Sequence, residues 1–168
     1  MGPQTGEDAA LINFGDKLLV AKTDPITFAT DLIGWYAVQV NANDLAVMGA
    51  IPKWFMATIL LPEGSSEELI EAIFDQILEA CEGLDIALVG GHSEITYGLP
   101  RPIVVGAMLG EVEKGNQILT SGAKIGDSIV LTKGIAIEGT SLLARDGTGS
   151  LINIGVNTDL INQAKNLL

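Results

Sequence analysis

Carboxylates and glycines recur in four short motifs along the chain, and these residue types are suited to binding a divalent metal and a phosphate. In chain order the motifs are Gly6-Glu7-Asp8-Ala9-Ala10, Thr23-Asp24-Pro25, Asn43-Asp44-Leu45-Ala46-Val47-Met48-Gly49 and Gly90-Gly91-His92-Ser93-Glu94. Carboxylate oxygens suit a hard cation such as Mg²⁺, and paired glycines let backbone amides approach a phosphate. The motifs therefore favour a site for a phosphorylated ligand and its metal.

The charge of the chain limits the partners that it can bind directly. Nine Lys and Arg against 21 Asp and Glu give a formal net charge of −12. Nucleic acids and anionic membranes are bound by basic surfaces, so we expect neither as a partner. A lone cysteine excludes an internal disulfide, and no segment has the roughly 20 apolar residues of a membrane helix. These features predict a cytoplasmic protein.

Each candidate ligand also has a structural explanation, which the residues alone leave open. Asp44 shares a predicted helix face with apolar residues, so it either binds a metal or lies on a solvated helix edge. Asp8 and Asp24 stand where turns and strand ends commonly carry an aspartate. His92, the only histidine, is either a ligand-contacting group or structural. Cys81 belongs to an apolar helical stripe, which favours a core position over a nucleophile.

Hydrophobic patterning predicts the elements that position these motifs. Strands are predicted at residues 9–14, 17–23, 53–61, 86–91 and 102–112, and long helices at 30–48 and 65–83. A capping box of Ser65 and Glu68 is expected to begin the second helix, and Gly83 to end it. The wholly apolar run at 86–91 is typical of a strand that is covered on both faces.

The order of these elements predicts two units. Residues 1–115 form the first domain, residues 116–127 a linker, and residues 128–168 the partial start of a second domain. The second unit is predicted to hold a strand at 128–132, short helices at 139–145 and 157–168, and a glycine-rich loop at 146–150. A lone strand cannot satisfy its own backbone hydrogen bonds, so this unit must dock on the first, pair with another chain or be the start of a truncated domain. We favour truncation.

Taken together and in this order, the motifs resemble those of the AIR synthase-related superfamily. Residues 126–134, followed by Gly139-Thr140, are similar to the opening of the second domain in its HypE-like branch. The resemblance implies an α/β (α+β) fold whose mixed sheet carries helices on one face. Its other face would meet the sheet of a second copy in a barrel-like homodimer interface. The cofactors implied are ATP and Mg²⁺, and the shared reaction is ATP-dependent phosphorylation of an amide or carbonyl oxygen.

The resemblance also implies roles for individual residues, although it identifies no catalytic residue. The implied metal ligands are Asp8, Asp24, Asp44 and Glu94. The implied nucleotide-binding residues are Asn43, Gly90, Gly91 and His92. Glu94 is included because His92 stands where the family usually has a metal-binding aspartate, and Mg²⁺ prefers oxygen to nitrogen.

Two functions from different classes follow from this resemblance. In the first, the chain is the Mg–ATP-binding domain of an ATP-using protein whose substrate the sequence does not identify. In the second, it is a catalytically inactive dimeric scaffold or binding module that retains the family fold. The short second unit and His92 favour the second function, and the intact Asn43-Asp44 motif favours the first.

Overall fold

A computed structural model describes residues 4–29 and 31–168, which contain five strands and five α-helices. The strands are β1 (Ala10–Phe14), β2 (Lys17–Ile26), β3 (Ile51–Pro62), β4 (Ala87–Thr96) and β5 (Ile103–Glu113). The helices are α1 (Ile33–Val47), α2 (Glu67–Gly83), α3 (Ile137–Asp146), α4 (Thr148–Asn153) and α5 (Thr158–Lys165), and a 3₁₀ turn spans Thr120–Gly122. Thr30, where the first predicted helix begins, lies outside the described residues, as do residues 1–3.

The strands form one mixed sheet in the order β1-β2-β5-β3-β4. The pairs β1–β2, β2–β5 and β5–β3 are antiparallel, whereas β3 and β4 are parallel. A parallel pair needs a crossover, and α2 provides it between β3 and β4. The structure thus confirms the predicted mixed α/β fold with its five strands and two long helices.

Helices α1 and α2 cover one face of this sheet. Along β5, buried residues alternate with half-buried ones, as expected for a strand with one face against a core. Val104 and Met108 are fully buried on the helix side. We call the other side the open sheet face; its apolar side chains include Ile12, Phe14 and Met56, which are 47%, 63% and 38% exposed. The helices therefore bury one face of the sheet and leave apolar side chains exposed on the other.

Helix α2 begins one residue later than its sequence pattern indicates. Ser66, not Ser65, is the N-cap, and its Oγ accepts a hydrogen bond from the Leu69 backbone nitrogen at 3.3 Å. The Ser65 hydroxyl instead donates to the Pro62 carbonyl at 2.8 Å. The predicted capping box of Ser65 and Glu68 is wrong because two adjacent serines compete, and the upstream turn engages the first.

The predicted strand at 128–132 is absent. Ile129, Val130 and Leu131 are 103%, 78% and 60% exposed, and the segment does not form a strand. Its apolar, β-branched sequence favours an extended chain, but a strand also needs a neighbouring strand to complete its hydrogen bonds. The sheet described above does not extend to these residues.

Two further sequence expectations differ from the structure. The strand predicted at 86–91 becomes β4, which is longer and lies at the sheet edge; Leu88 and Val89 are 36% and 54% exposed, so it is not covered on both faces. The loop predicted at 146–150 contains the start of α4. Here the Leu151 backbone nitrogen donates to the Gly147 carbonyl, so the glycines do not prevent a helical turn.

The C-terminal helices dock against the beginning of α1. The Arg145 guanidinium lies 2.6 Å from Asp31, and the Asp146 carboxylate accepts from the Ala29 backbone nitrogen at 3.4 Å. Helix α3 also contacts α5, because the Ser141 hydroxyl donates to the Lys165 carbonyl at 3.1 Å. These contacts connect the second predicted unit to the first. Within residues 4–29 and 31–168, no helix is both long enough and apolar enough to span a bilayer.

Gly34 sets the distance between α1 and α2. A Cβ at this position would lie 2.4 Å from the Ile73 carbonyl oxygen and 2.9 Å from the Gln76 Cβ. We expect Gly34→Ala to lower the free energy of unfolding by about 1–3 kcal/mol, because the two helices must separate. Gly83→Ala is the control: a Cβ there has no neighbour within 4 Å, and alanine favours the helix. Equal denaturation midpoints for the two variants would contradict this packing.

Cys81 provides a second test of the core. It is 3% exposed, and burial raises the pKa of its thiol to about 11. The thiolate is the reactive form, so we expect a thiol reagent at pH 8 to leave the folded chain unmodified. In denaturant the single cysteine should react fully. Rapid labelling of the folded chain would show that the α2 packing is wrong.

Candidate functional site

Three charged residues converge between β2 and α1, and we call them the Lys22–Asp24–Asp44 cluster. Lys22 and Asp24 are two residues apart on β2, so their side chains share the face that α1 covers. Asp44 lies on α1, and its Oδ2 is 3.0 Å from the Lys22 Nζ. The same nitrogen lies 3.4 Å from Asp24 Oδ2. The two predicted metal ligands Asp24 and Asp44 therefore both contact one cation.

Partial burial shapes the electrostatics of this cluster. Side-chain exposure is 21% for Lys22, 21% for Asp44 and 35% for Asp24. Burial raises the pKa of the Asp44 carboxyl, and Lys22 opposes that effect while Asp24 adds to it. Burial alone would lower the pKa of Lys22, but its hydrogen bonds and charge attraction to Asp44 and Asp24 outweigh burial and raise it. The cluster keeps a positive charge close to two carboxylates.

Asn41 lies one helical turn before Asp44 and is fully buried. Its Nδ2 donates to the Ala37 carbonyl at 2.8 Å, while its Oδ1 has no hydrogen-bond partner among the described residues. The side chain packs on Gly106, the residue that pairs with Asp24 in the sheet. An unpaired buried acceptor is costly, and this one belongs to a side chain that packs beside the strand partner of Asp24.

The first motif lies beside the cluster. Asp8 is exposed and lines a concavity of about 260 Å³ together with Lys22 and Thr23. Glu7 has a different role, because its Oε2 accepts from the Thr120 backbone nitrogen at 3.3 Å. The Thr120 hydroxyl donates to the Gly6 carbonyl at 2.6 Å. Glu7 thus holds the segment after β5 against the N-terminal motif and leaves Asp8 facing the concavity.

Gly90 and Gly91 lie on β4 next to α2. A Cβ at Gly91 would lie 2.0 Å from the Ala57 carbonyl oxygen, so only glycine fits there. Val89 bulges out of the β3–β4 pairing, since Phe55 pairs with Leu88 and the next residue of β3 pairs with Gly90. The groove between β4 and α2 has a volume of about 450 Å³. The glycines border this groove, whose lining also includes Ile59, Phe74 and Ile77, so phosphate binding here stays a prediction.

His92 and Glu94 lie further along β4 on the open sheet face. Their strand partners are Thr58 and Leu60, which alternate with the buried Ala57 and Ile59. His92 Nε2 lies 3.3 Å from Glu94 Oε2, and both side chains are more than half exposed. Hydrogen bonds from Thr96 and then from His92 lower the pKa of Glu94.

The predicted site residues thus form two groups. Asp24, Gly106, Ala57 and Gly91 occupy one row across β2, β5, β3 and β4. Three strand spacings of about 4.8 Å separate Asp24 from Gly91 by about 14 Å. Asp8, Asp24 and Asp44 belong to the β2 side, whereas His92 and Glu94 lie on the β4 side and on the opposite face. Within one chain, Glu94 does not approach the other three predicted metal ligands.

Asn43 also points away from the cluster. It is exposed on α1 and lines a small cavity of about 160 Å³ with Trp35, Ile137 and Leu168. Adjacent helical residues are rotated by about 100°, so Asn43 and Asp44 cannot share a face.

The carboxylates of the cluster suit a magnesium ion whose coordination shell is completed by a phosphate. Among residues 4–29 and 31–168, no three His, Cys, Asp or Glu side chains converge as a metal-binding group. Mg²⁺ is commonly held by one or two carboxylates, with waters and substrate phosphates filling the other positions. Asp24 and Asp44 provide two such carboxylates, and both already contact the Lys22 ammonium.

Sequence patterns did not identify Lys22 or Asn41 as part of the site. The spacing of Lys22 and Asp24 along β2 and of Asn41 and Asp44 along α1 places each pair on one face. That spacing is visible in the sequence, but the contact between β2 and α1 is a tertiary feature.

The family comparison gives a match over most of the chain. A sequence model described as "AIR synthase related protein, N-terminal domain" matches residues 6–112. A Methanocaldococcus jannaschii protein named for hydrogenase expression/formation is 32% identical over 169 residues, which cover 97% of this chain and 50% of that protein. The thiamine-monophosphate kinase of Bacillus subtilis is 33% identical over 129 residues, covering 76% of this chain and 38% of the kinase. The chain thus spans half or less of these relatives' length.

The fold comparison agrees with the sequence comparison. The solved structure of AaThiL complexed with AMPPCP and TMP aligns with a TM-score of 0.70 and 25% identity. The alignment covers 96% of this chain and 56% of that protein.

Proposed function

This chain belongs to the AIR synthase-related family through its N-terminal domain, and on that premise we propose that it binds ATP with Mg²⁺ at the Lys22–Asp24–Asp44 cluster. The observation that carries the proposal is the convergence of Asp24 and Asp44 on one cation, at 3.4 and 3.0 Å. The nucleotide AMPPCP in the related AaThiL structure supports ATP as the ligand class. Bound Mg²⁺ would neutralise the charge on the phosphates.

The residues of this chain would contribute by position and charge. Asp24 and Asp44 hold the metal through carboxylate oxygens, and Asp8 approaches from the adjoining concavity. The glycines of β4 lie about 14 Å from Asp24, so they would contact a different part of the nucleotide from the phosphate that shares the metal. Phosphoryl transfer needs mainly such positioning and electrostatic neutralisation. For the longer protein we propose an amide or carbonyl oxygen as the phosphoryl acceptor, as the motif resemblance implies.

The open sheet face supports a homodimer and provides the basis of a second candidate function. Its apolar side chains stay between one third and two thirds exposed at Ile12, Phe14 and Met56. Apolar sheet surface of this extent favours a protein partner, and a second copy offers a matching sheet. A chain that dimerises in this way without binding nucleotide would be a scaffold or binding module.

The proposed metal site is tested by Asp44→Asn. We expect the affinity for ATP in the presence of Mg²⁺ to fall by about tenfold or more. Asparagine has nearly the shape of aspartate but lacks its negative charge, so it is a weaker metal ligand. Calorimetric titration with and without Mg²⁺ measures this change. Asp75→Asn on α2, which is exposed, is the matched control and should bind as the native chain does. Unchanged affinity in Asp44→Asn would remove Asp44 from the site.

The proposed dimer is tested by Met56→Lys on the open sheet face. We expect the native chain to sediment as a dimer at micromolar concentration and this variant to sediment as a monomer, because a buried lysine is costly in an apolar interface. Leu78→Lys on α2 is the control: Leu78 is 50% exposed on the other side of the molecule. A monomeric native chain would argue against the interface.

A further inference from the structure

The Lys22 ammonium contacts both carboxylates at which a metal is expected. Its Nζ lies within 3.4 Å of an oxygen from each of Asp24 and Asp44, and its side chain is only 21% exposed. This ammonium satisfies both carboxylates without a metal. The cluster therefore contains its own counter-ion.

A divalent cation and the Lys22 ammonium cannot bind the same two oxygens together. The cations would lie within a few ångströms of each other, where their repulsion is strong in a partly buried site. Two carboxylates and one ammonium leave a net charge of −1, which gives a divalent cation only a weak attraction. A metal gains the full attraction of both carboxylates only after the lysine has moved away.

The concavity beside Lys22 gives the ammonium a place to move. Lys22 lines it with Asp8 and Thr23, and it is partly open to solvent. The lysine side chain has a flexible four-carbon stem and acts as a compact point charge toward phosphates. Among the other groups along this concavity, the Glu7 carboxylate already accepts from the Thr120 backbone nitrogen. A phosphate that enters here would therefore meet the displaced ammonium.

We propose that Lys22 is an exchangeable counter-ion, which leaves Asp24 and Asp44 for a phosphate of the nucleotide when a divalent cation takes its place. This inference rests on the proposed function, because it concerns the same site. It implies that metal and nucleotide bind synergistically. When the metal binds without nucleotide, the lysine that it displaces gains no new partner. When the nucleotide binds without metal, the lysine is still held by the two carboxylates and is not available to the phosphate.

The first test measures Mn²⁺ binding without nucleotide, using the electron paramagnetic resonance signal of free Mn²⁺. Lys22→Met should bind Mn²⁺ about tenfold or more tightly than the native chain. Lys22→Arg, which keeps the charge, should resemble the native chain. Lys53→Met is the matched control, since Lys53 forms an ion pair with Glu111 at 2.6 Å far from the cluster. The double variant Lys22→Met, Asp44→Asn should lose the gain.

Equal Mn²⁺ affinity in the native chain and in Lys22→Met would overturn the proposal. Lys22→Gln serves the same comparison if circular dichroism shows that the methionine variant is unfolded. A second measurement follows ATP binding at saturating Mn²⁺, where Lys22→Met should bind ATP more weakly than the native chain. Unchanged ATP affinity would show that the displaced lysine does not contact phosphate.

These two readouts separate the two proposals. If the native chain binds no ATP with either metal, the proposed function fails. The Mn²⁺ gain in Lys22→Met would still decide whether Lys22 is the counter-ion of the carboxylate pair.

Discussion

The close packing of α1 on β5 is the constraint on which the site depends. A Cβ at Gly106 would lie 2.3 Å from Asn41 Nδ2, and one at Gly110 would lie 2.8 Å from Leu45 Cδ2. These two glycines let α1 lie closer to the sheet than larger residues would allow. At this short distance Asp44 contacts Lys22 on β2, the strand next to β5. Backbone packing thus fixes the separation of the charged groups.

The same packing would allow such an acidic chain to bind a polyanion at the proposed site. The formal charge of −12 repels phosphates over most of the surface, so binding needs local positive charge. In the cluster, Lys22 supplies one positive charge, and the proposed metal ion would supply two more. Partial burial strengthens each of these interactions relative to bulk water.

Local patterns in the sequence predicted most helices and strands, whereas the contacts between them could be predicted only in part. The hairpin of β1 and β2, the amphipathic helix α2 and the burial of Cys81 all follow from short-range signals. The order of the motifs was sufficient to indicate the family. The segment at 128–132 has a strand-like composition but no strand to pair with, and composition cannot show whether a partner is present. The distance between Glu94 and Asp24 likewise depends on strand order, which the sequence does not state.

The central claim is that Asp24 and Asp44 bind a metal together with a nucleotide. A crystal structure of the chain grown with AMPPCP and Mn²⁺, with anomalous diffraction data, tests it most directly. We expect an anomalous peak at bonding distance from both carboxylates, with the Lys22 ammonium displaced toward a phosphate. A peak beside His92 and Glu94, with Lys22 still bound to Asp24 and Asp44, would contradict it.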